Sequence, residues 1–119
     1  MALVLNEEQN MLKDAAKDFC TNNTPITQLR KLRDEQNSLG FDDATWRQMV
    51  DLGWAGICIP EEYGGAGLDQ ISYGLIMQEI ERGDSGIRST ASVQSSLVMY
   101  PIFQYGTEEQ RKKYLPKLA

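Results

Sequence analysis

The chain has 119 residues, 41% of them hydrophobic, and a formal net charge of −5; that is length and apolar content for one core without help from disulfides or metals. The acidic balance excludes a nucleic-acid binder, since phosphate recognition needs a concentrated basic surface. The absence of histidine removes the commonest general base and the commonest zinc ligand.

Asn6 stands three residues before Gln9, with Glu7 and Glu8 between them, so a capping box and a favourable dipole start a helix there. Met11, Leu12, Ala15, Ala16 and Phe19 recur at helical spacing as one apolar stripe, which stops at Asn22-Asn23-Thr24-Pro25. A second, more polar helix is expected over Thr27 to Gln36, anchored by Leu29 and Leu32 and broken by Gly40; it should be exposed and comparatively mobile. Asp42 caps a third helix with Trp46, Met49 and Val50 on one face, and Gly53 sits where a helix end wants a left-handed residue. Trp54 to Pro60 is too short and too rich in glycine for a long helix, and reads as a buried, extended connector. The following glycines, Gly64, Gly65 and Gly67, match neither the dinucleotide fingerprint nor a P-loop, so they do not read as a phosphate cradle.

Asp69 caps a fourth helix reaching Arg82, with Ile71, Leu75, Ile76 and Ile80 apolar and Gly83 as its stop. A fifth has its core from Ile87 to Met99 and is expected to end at Tyr100-Pro101, followed by an apolar tail of Ile102, Phe103 and Tyr105. Thr107 and Gln110 form a second capping box for a last helix, Glu108 to Tyr114, ending at Pro116. The expected fold is therefore all-α, with five or six helices in one domain and no internal boundary. No apolar run is long enough to span a bilayer, and Met1 to Asn10 carries no signal-like pattern. Cys20 and Cys58 read as reduced, buried thiols of a cytosol-like compartment, and no metal site is expected. The clusters Arg30-Lys31-Arg33 and Arg111-Lys112-Lys113 adjoin acidic residues and read as solvated helix faces.

The fifth helix carries the chemistry. Serine and threonine crowd it between Ser85 and Ser96, although both are only fair helix formers. At about 100° per residue, Arg88, Ser92 and Ser95 fall on one stripe, with Ser89 and Ser96 beside it. A guanidinium ringed by hydroxyls suits an anionic group, because it binds a carboxylate bidentately. An internal ion pair of Arg88 with Glu81 or Asp84 fits the same residues. Glu7, Glu8, Glu61, Glu62 and Glu79 are explained by helix starts, loops and surfaces, so no catalytic residue is assigned in this chain.

The run Leu52-Gly53-Trp54-Ala55-Gly56-Ile57, then Ile59-Pro60-Glu61-Glu62-Tyr63-Gly64-Gly65-Ala66-Gly67, resembles the N-terminal domain of acyl-CoA dehydrogenases, as do Tyr105 to Gln110 and Lys113-Tyr114-Leu115-Pro116. Glu81 to Ser89 and Ser92 to Met99 are similar to the glutaryl-CoA dehydrogenase branch. This resemblance implies that 1–119 is the N-terminal helical domain, with a middle β domain and a C-terminal helical domain outside it. The chain is accordingly expected to be a piece of a longer protein. The resemblance also implies that Arg88, Ser89, Ser92 and Glu81 form the distal end of the acyl pocket, where Arg88 and Ser92 meet a carboxylate. It implies FAD as cofactor, held outside these residues together with the glutamate base, so that the 119 residues alone are inactive. In the full-length enzyme it implies dehydrogenation with decarboxylation to crotonyl-CoA, electron-transfer flavoprotein as electron acceptor, a homotetramer, and a cytoplasmic or mitochondrial-matrix location. A dehydrogenase for simple short or medium acyl-CoA, and a non-catalytic helical interaction module, are the alternatives. An unpaired Arg88 would oppose the first, and the second would expose a contiguous apolar surface.

Overall fold

The computed structural model describes residues 4–119, so the first three residues of the Met1 to Asn10 segment lie outside the description. Among the described residues every regular element is helical: α1 (Glu7–Asn23), α2 (Ile26–Asp34), α3 (Asp43–Asp51), a 3₁₀ turn (Glu61–Tyr63), α4 (Gln70–Gly83), α5 (Ser85–Ser92), a π segment (Val93–Met99), α6 (Tyr100–Tyr105) and α7 (Glu108–Leu118). Val93 and Tyr100 keep right-handed helical dihedrals, so α5, the π segment and α6 form one continuous rod. The architecture is the expected all-α one.

Local chemistry accounts for the starts. Asn6 and Gln9 exchange side-chain and backbone bonds across the α1 N-terminus, and Thr107 and Gln110 do the same for α7, satisfying amides that have no partner inside a helix. Asp42 accepts from the Thr45 amide at 2.8 Å and Asp69 from the Ser72 amide at 2.7 Å. Gly53 takes φ +80, the left-handed conformation that ends α3 without a Cβ penalty.

Several expected boundaries differ. The connector from Trp54 to Pro60 is a chain of turns rather than an extended piece. α2 stops at Asp34 instead of Gln36, and Gln36 turns to φ 51. Pro101 does not end the fifth helix: it sits just after the Tyr100 amide bonds the Ser95 carbonyl five residues back, where the widened register hands over to α6 and the ring takes the place of one N–H of the continuous rod. Pro116 lies inside α7. It and Lys112, whose carbonyl it leaves without an i→i+4 N–H partner, are both exposed. On α1 the buried face is centred on Ala16 and Cys20, with Leu12 and Phe19 half-buried, whereas Met11 is 72% exposed and Ala15 is also outside.

Two apolar clusters hold the rod in place. The larger joins Ala16 and Cys20 of α1, Met49 of α3, Ile57, Ile76 and Ile80 of α4, and Ile87 and Ala91 of α5. The smaller joins Ile59, Tyr63, Met99 and Leu115. Ile57 and Ile59 thus send alternate side chains of one connector into the two clusters. The molecule measures 44 × 39 × 19 Å; its thin dimension is about two helix diameters. Helices in such a slab bury one face and leave the other uncovered, which explains Leu97 at 70% and Ile71 at 56% exposure.

Candidate functional site

Arg88 projects from the second turn of α5. Its Nε donates to the Glu81 carboxylate from the last turns of α4, and its Nη1 donates to Ser92 Oγ at 2.9 Å. Ser92 Oγ in turn donates to the Ser89 carbonyl at 3.1 Å. Glu81, Arg88 and Ser92 are therefore in direct contact, and Ser89 stands exposed beside them. The α4–α5 junction makes this possible: Gly83 passes so close to Thr24 that any Cβ would collide with the Thr24 hydroxyl, and Asp84 caps α5 through the Gly86 and Ile87 amides. Asp84 is thus committed to the helix start, and of the two carboxylates considered for an ion pair, Glu81 is the one that makes it. The Arg88 side chain is 32% exposed and that of Glu81 49%, so this is a half-solvated pair rather than a buried one.

Ser95 does not share the Arg88 stripe. It is buried and donates to the Ala91 carbonyl at 2.8 Å, on the core side of the rod. Counting at an α-helical angle misplaces it, because the π segment intervenes. The uncovered side instead carries Ser89, then Val93 at 46% and Leu97 at 70% exposure. Val93 and Leu97 thus follow Ser89 on one uncovered stripe, with Arg88 and Ser92 each one residue before a member of it. On another side of the rod, Ser95, Ser96, Tyr100, Tyr73, Gln70, Cys58 and Ile59 line a cleft of 320 Å³. Tyr73 Oη and Ser96 Oγ share a hydrogen bond of 2.8 Å across it.

Glu79 is buried but paired with Arg82 at 2.8 Å. Tyr63 donates to Glu108 at 2.8 Å, and this bond pushes the phenol up from its ordinary value while holding the carboxyl of Glu108 down. Both cysteines are free; Cys20 is buried and Cys58 half-buried, and burial pushes both thiols up, away from thiolate reactivity. Among the described residues no cluster of metal-ligating side chains occurs, and no helix is long and apolar enough to cross a membrane.

The glycine loop offers no seat for a flavin pyrophosphate. The Gly64 and Gly65 amides donate to Glu61 and Pro60 carbonyls, and the Ala66 and Gly67 amides to those of Gly56 and Ile59. Its N–H groups are engaged within the chain, so the anion cradle that such a loop can provide elsewhere is not formed.

The family model for the acyl-CoA dehydrogenase N-terminal domain matches residues 6–119. The chain is similar to a glutaryl-CoA dehydrogenase of Desulfococcus multivorans, 36% identical over 97% of this chain and 29% of that protein. It is 35% identical to an acyl-CoA dehydrogenase of Bacillus subtilis (strain 168), over 97% of this chain and 29% of that one. An acyl-CoA dehydrogenase from Bacillus anthracis, crystallised in complex with FAD, superposes with a TM-score of 0.84 at 35% identity, covering 97% of this chain and 19% of that one. The chain therefore spans less than a third of the length of these relatives.

Proposed function

This chain belongs to the acyl-CoA dehydrogenase family, supplying its N-terminal domain, and we propose that it forms the acyl-pocket wall of an FAD-dependent dehydrogenase acting on a dicarboxylic acyl-CoA of the glutaryl-CoA kind. The observation that carries this reading is the uncovered stripe of Val93 and Leu97 on the same rod as the hydrogen-bonded Arg88 and Ser92. An acyl chain laid on the stripe meets methyl groups, and its distal carboxylate meets the guanidinium. Glu81 takes Nε and Ser92 takes one N–H of Nη1, so the remaining N–H groups of the five that arginine carries are open to a ligand. The relation to a glutaryl-CoA dehydrogenase supports this substrate class.

In this reading residues 1–119 are one domain of a larger enzyme, and what they contribute is binding and orientation. Arg88, Ser89 and Ser92 hold the distal carboxylate, Glu81 orients Arg88, and covering by the rest of the protein strengthens each contact by excluding water. FAD, bound by regions outside this chain, supplies the hydride-accepting chemistry, and the base that removes the α-proton lies there too. Loss of the distal carboxylate as carbon dioxide, with a proton taken up at the carbon it leaves, then yields crotonyl-CoA. Electron-transfer flavoprotein as acceptor and a homotetrameric assembly complete the proposal.

Glu81 also supports a second reading. Because it already neutralises Arg88, a simple acyl-CoA would not meet an unpaired cation at the pocket end, and the objection to a monocarboxylic substrate weakens. Arg88→Met in the whole dehydrogenase carrying this domain separates the two. Truncating a desolvated charge contact costs about 2 to 5 kcal/mol, so kcat/KM for glutaryl-CoA is expected to fall about 30-fold or more while butyryl-CoA is little affected. Equal loss on both substrates, or none on either, refutes the dicarboxylate reading.

A further inference from the structure

The buried positions of the long rod, Ile87, Ala91, Ser95 and Met99, recur at strict intervals of four. So do the uncovered ones, Ser89, Val93 and Leu97. In an α-helix of 3.6 residues per turn a four-residue repeat drifts by about 40° each step, so Met99 would lie about 120° away from Ile87. The drift is absorbed by the π segment, whose wider turn is visible in the Tyr100 amide bonding the Ser95 carbonyl, an i→i+5 pair. Register within this segment therefore decides whether Val93 and Leu97 face outward beside Arg88 and Ser92.

Two side chains tether the segment from outside the rod. Gln94 Nε2 donates to the Leu118 carbonyl at 2.8 Å, which ties it to the end of α7. Tyr73 reaches from α4 to share a bond of 2.8 Å with Ser96, one residue beyond the carbonyl that accepts the i→i+5 bond. An α-helical register would satisfy the same backbone groups, and π turns are rarely the default. The tether from Tyr73 biases that choice.

We propose that Tyr73 is a positioning residue for acyl selectivity, acting through Ser96 to hold the π register that presents Val93 and Leu97 next to Arg88. The inference rests on reading that stripe as an acyl wall. It assigns to Tyr73 no contact with substrate.

The test uses Tyr73→Phe and Ser96→Ala, separately and together, in the whole dehydrogenase, with glutaryl-CoA and butyryl-CoA as substrates and Arg88→Met as control. Each single variant is expected to change the ratio of the two kcat/KM values by about three- to tenfold, the scale of one hydrogen bond. The double variant should do no more than either single, because both remove the same bond. In the chain itself, Tyr73→Phe is expected to weaken the NMR coupling carried through the hydrogen bond from the Tyr100 amide to the Ser95 carbonyl, in favour of one to the Ser96 carbonyl. An unchanged selectivity ratio in both single variants overturns the inference even if Arg88→Met abolishes the glutaryl preference, in which case the substrate reading stands alone. A Tyr100–Ser95 coupling unchanged in Tyr73→Phe overturns it as well. If Arg88→Met leaves the preference intact, the substrate reading falls and this inference falls with it.

Discussion

Arg88→Met separates a functional cation from a structural one already in the 119-residue chain. The side chains of Arg88 and Glu81 keep 32% and 49% of their exposure, and half-solvated pairs of this kind contribute about 0 to 1 kcal/mol to stability. Methionine keeps the apolar part of the arginine stem, so little packing is lost. The expected cost of Arg88→Met is therefore below about 1 kcal/mol, which for a chain of this size is a fall in Tm of about 5 °C or less. Ile80, fully buried between α4 and α1, sets the contrast, since Ile80→Ala should cost about 2 to 5 kcal/mol. Urea denaturation of wild type, Arg88→Met, Glu81→Gln and the double variant yields the coupling energy directly. It should be small and should shrink further in 1 M salt, where the screening length is about 3 Å. A loss above about 2 kcal/mol, or a coupling of that size, would mark a structural ion pair and refute the argument that Arg88 is held for a ligand.

Asp42→Ala should destabilise the chain by about 0.5 to 2 kcal/mol at neutral pH, because it leaves the α3 N-terminus uncapped. Hydrogen bonds from Thr45 hold the Asp42 carboxyl below its ordinary value of 3.8, so this contribution is present above that value and is lost as pH falls through the lower folded one. Thermal melts should therefore converge for the two proteins in acid, and a gap that widened there would contradict the assignment. Gly65→Ala should cost more than about 2 kcal/mol, since a Cβ would strike the backbone carbonyl of Ile59, which a flexible side chain cannot relieve; a melting temperature equal to wild type would disprove that contact. The isolated chain should bind no FAD, as its loop amides are engaged internally, and a stoichiometric flavin absorbance after purification would oppose this. The exposed Leu97, at 70%, should make the isolated chain self-associate, and Leu97→Ser should reduce that association in sedimentation; unchanged association would place the sticky surface elsewhere.

Much of this fold is legible in short stretches of sequence. Asn6 with Gln9, Asp42, Asp69 and Thr107 with Gln110 act on amides two or three residues away, and Gly53 acts on its own dihedral, so helix starts and one helix stop follow from neighbours in the chain. The pairing of Arg88 with Glu81 and Ser92 is legible for the same reason: one partner lies a helical turn along α5 and the other just across a tight junction. Ser95, Pro101 and Tyr73 were not legible in that way. The interval of four through Ile87, Ala91, Ser95 and Met99 departs from the 3.6-residue repeat of an α-helix, and it emerges only in the packed rod, with Ile87 and Ala91 in the larger cluster beside α4 and Met99 in the smaller one with Leu115 of α7. Pro101 then continues a helix it would otherwise have stopped, and Ser95 turns into the core while Val93 and Leu97 turn out. Caps and turns are decided by groups a few bonds apart, whereas the facing of Val93 and Leu97 follows from clusters assembled from four helices and, in our proposal, from a hydroxyl 23 residues away at Tyr73, which no local window contains.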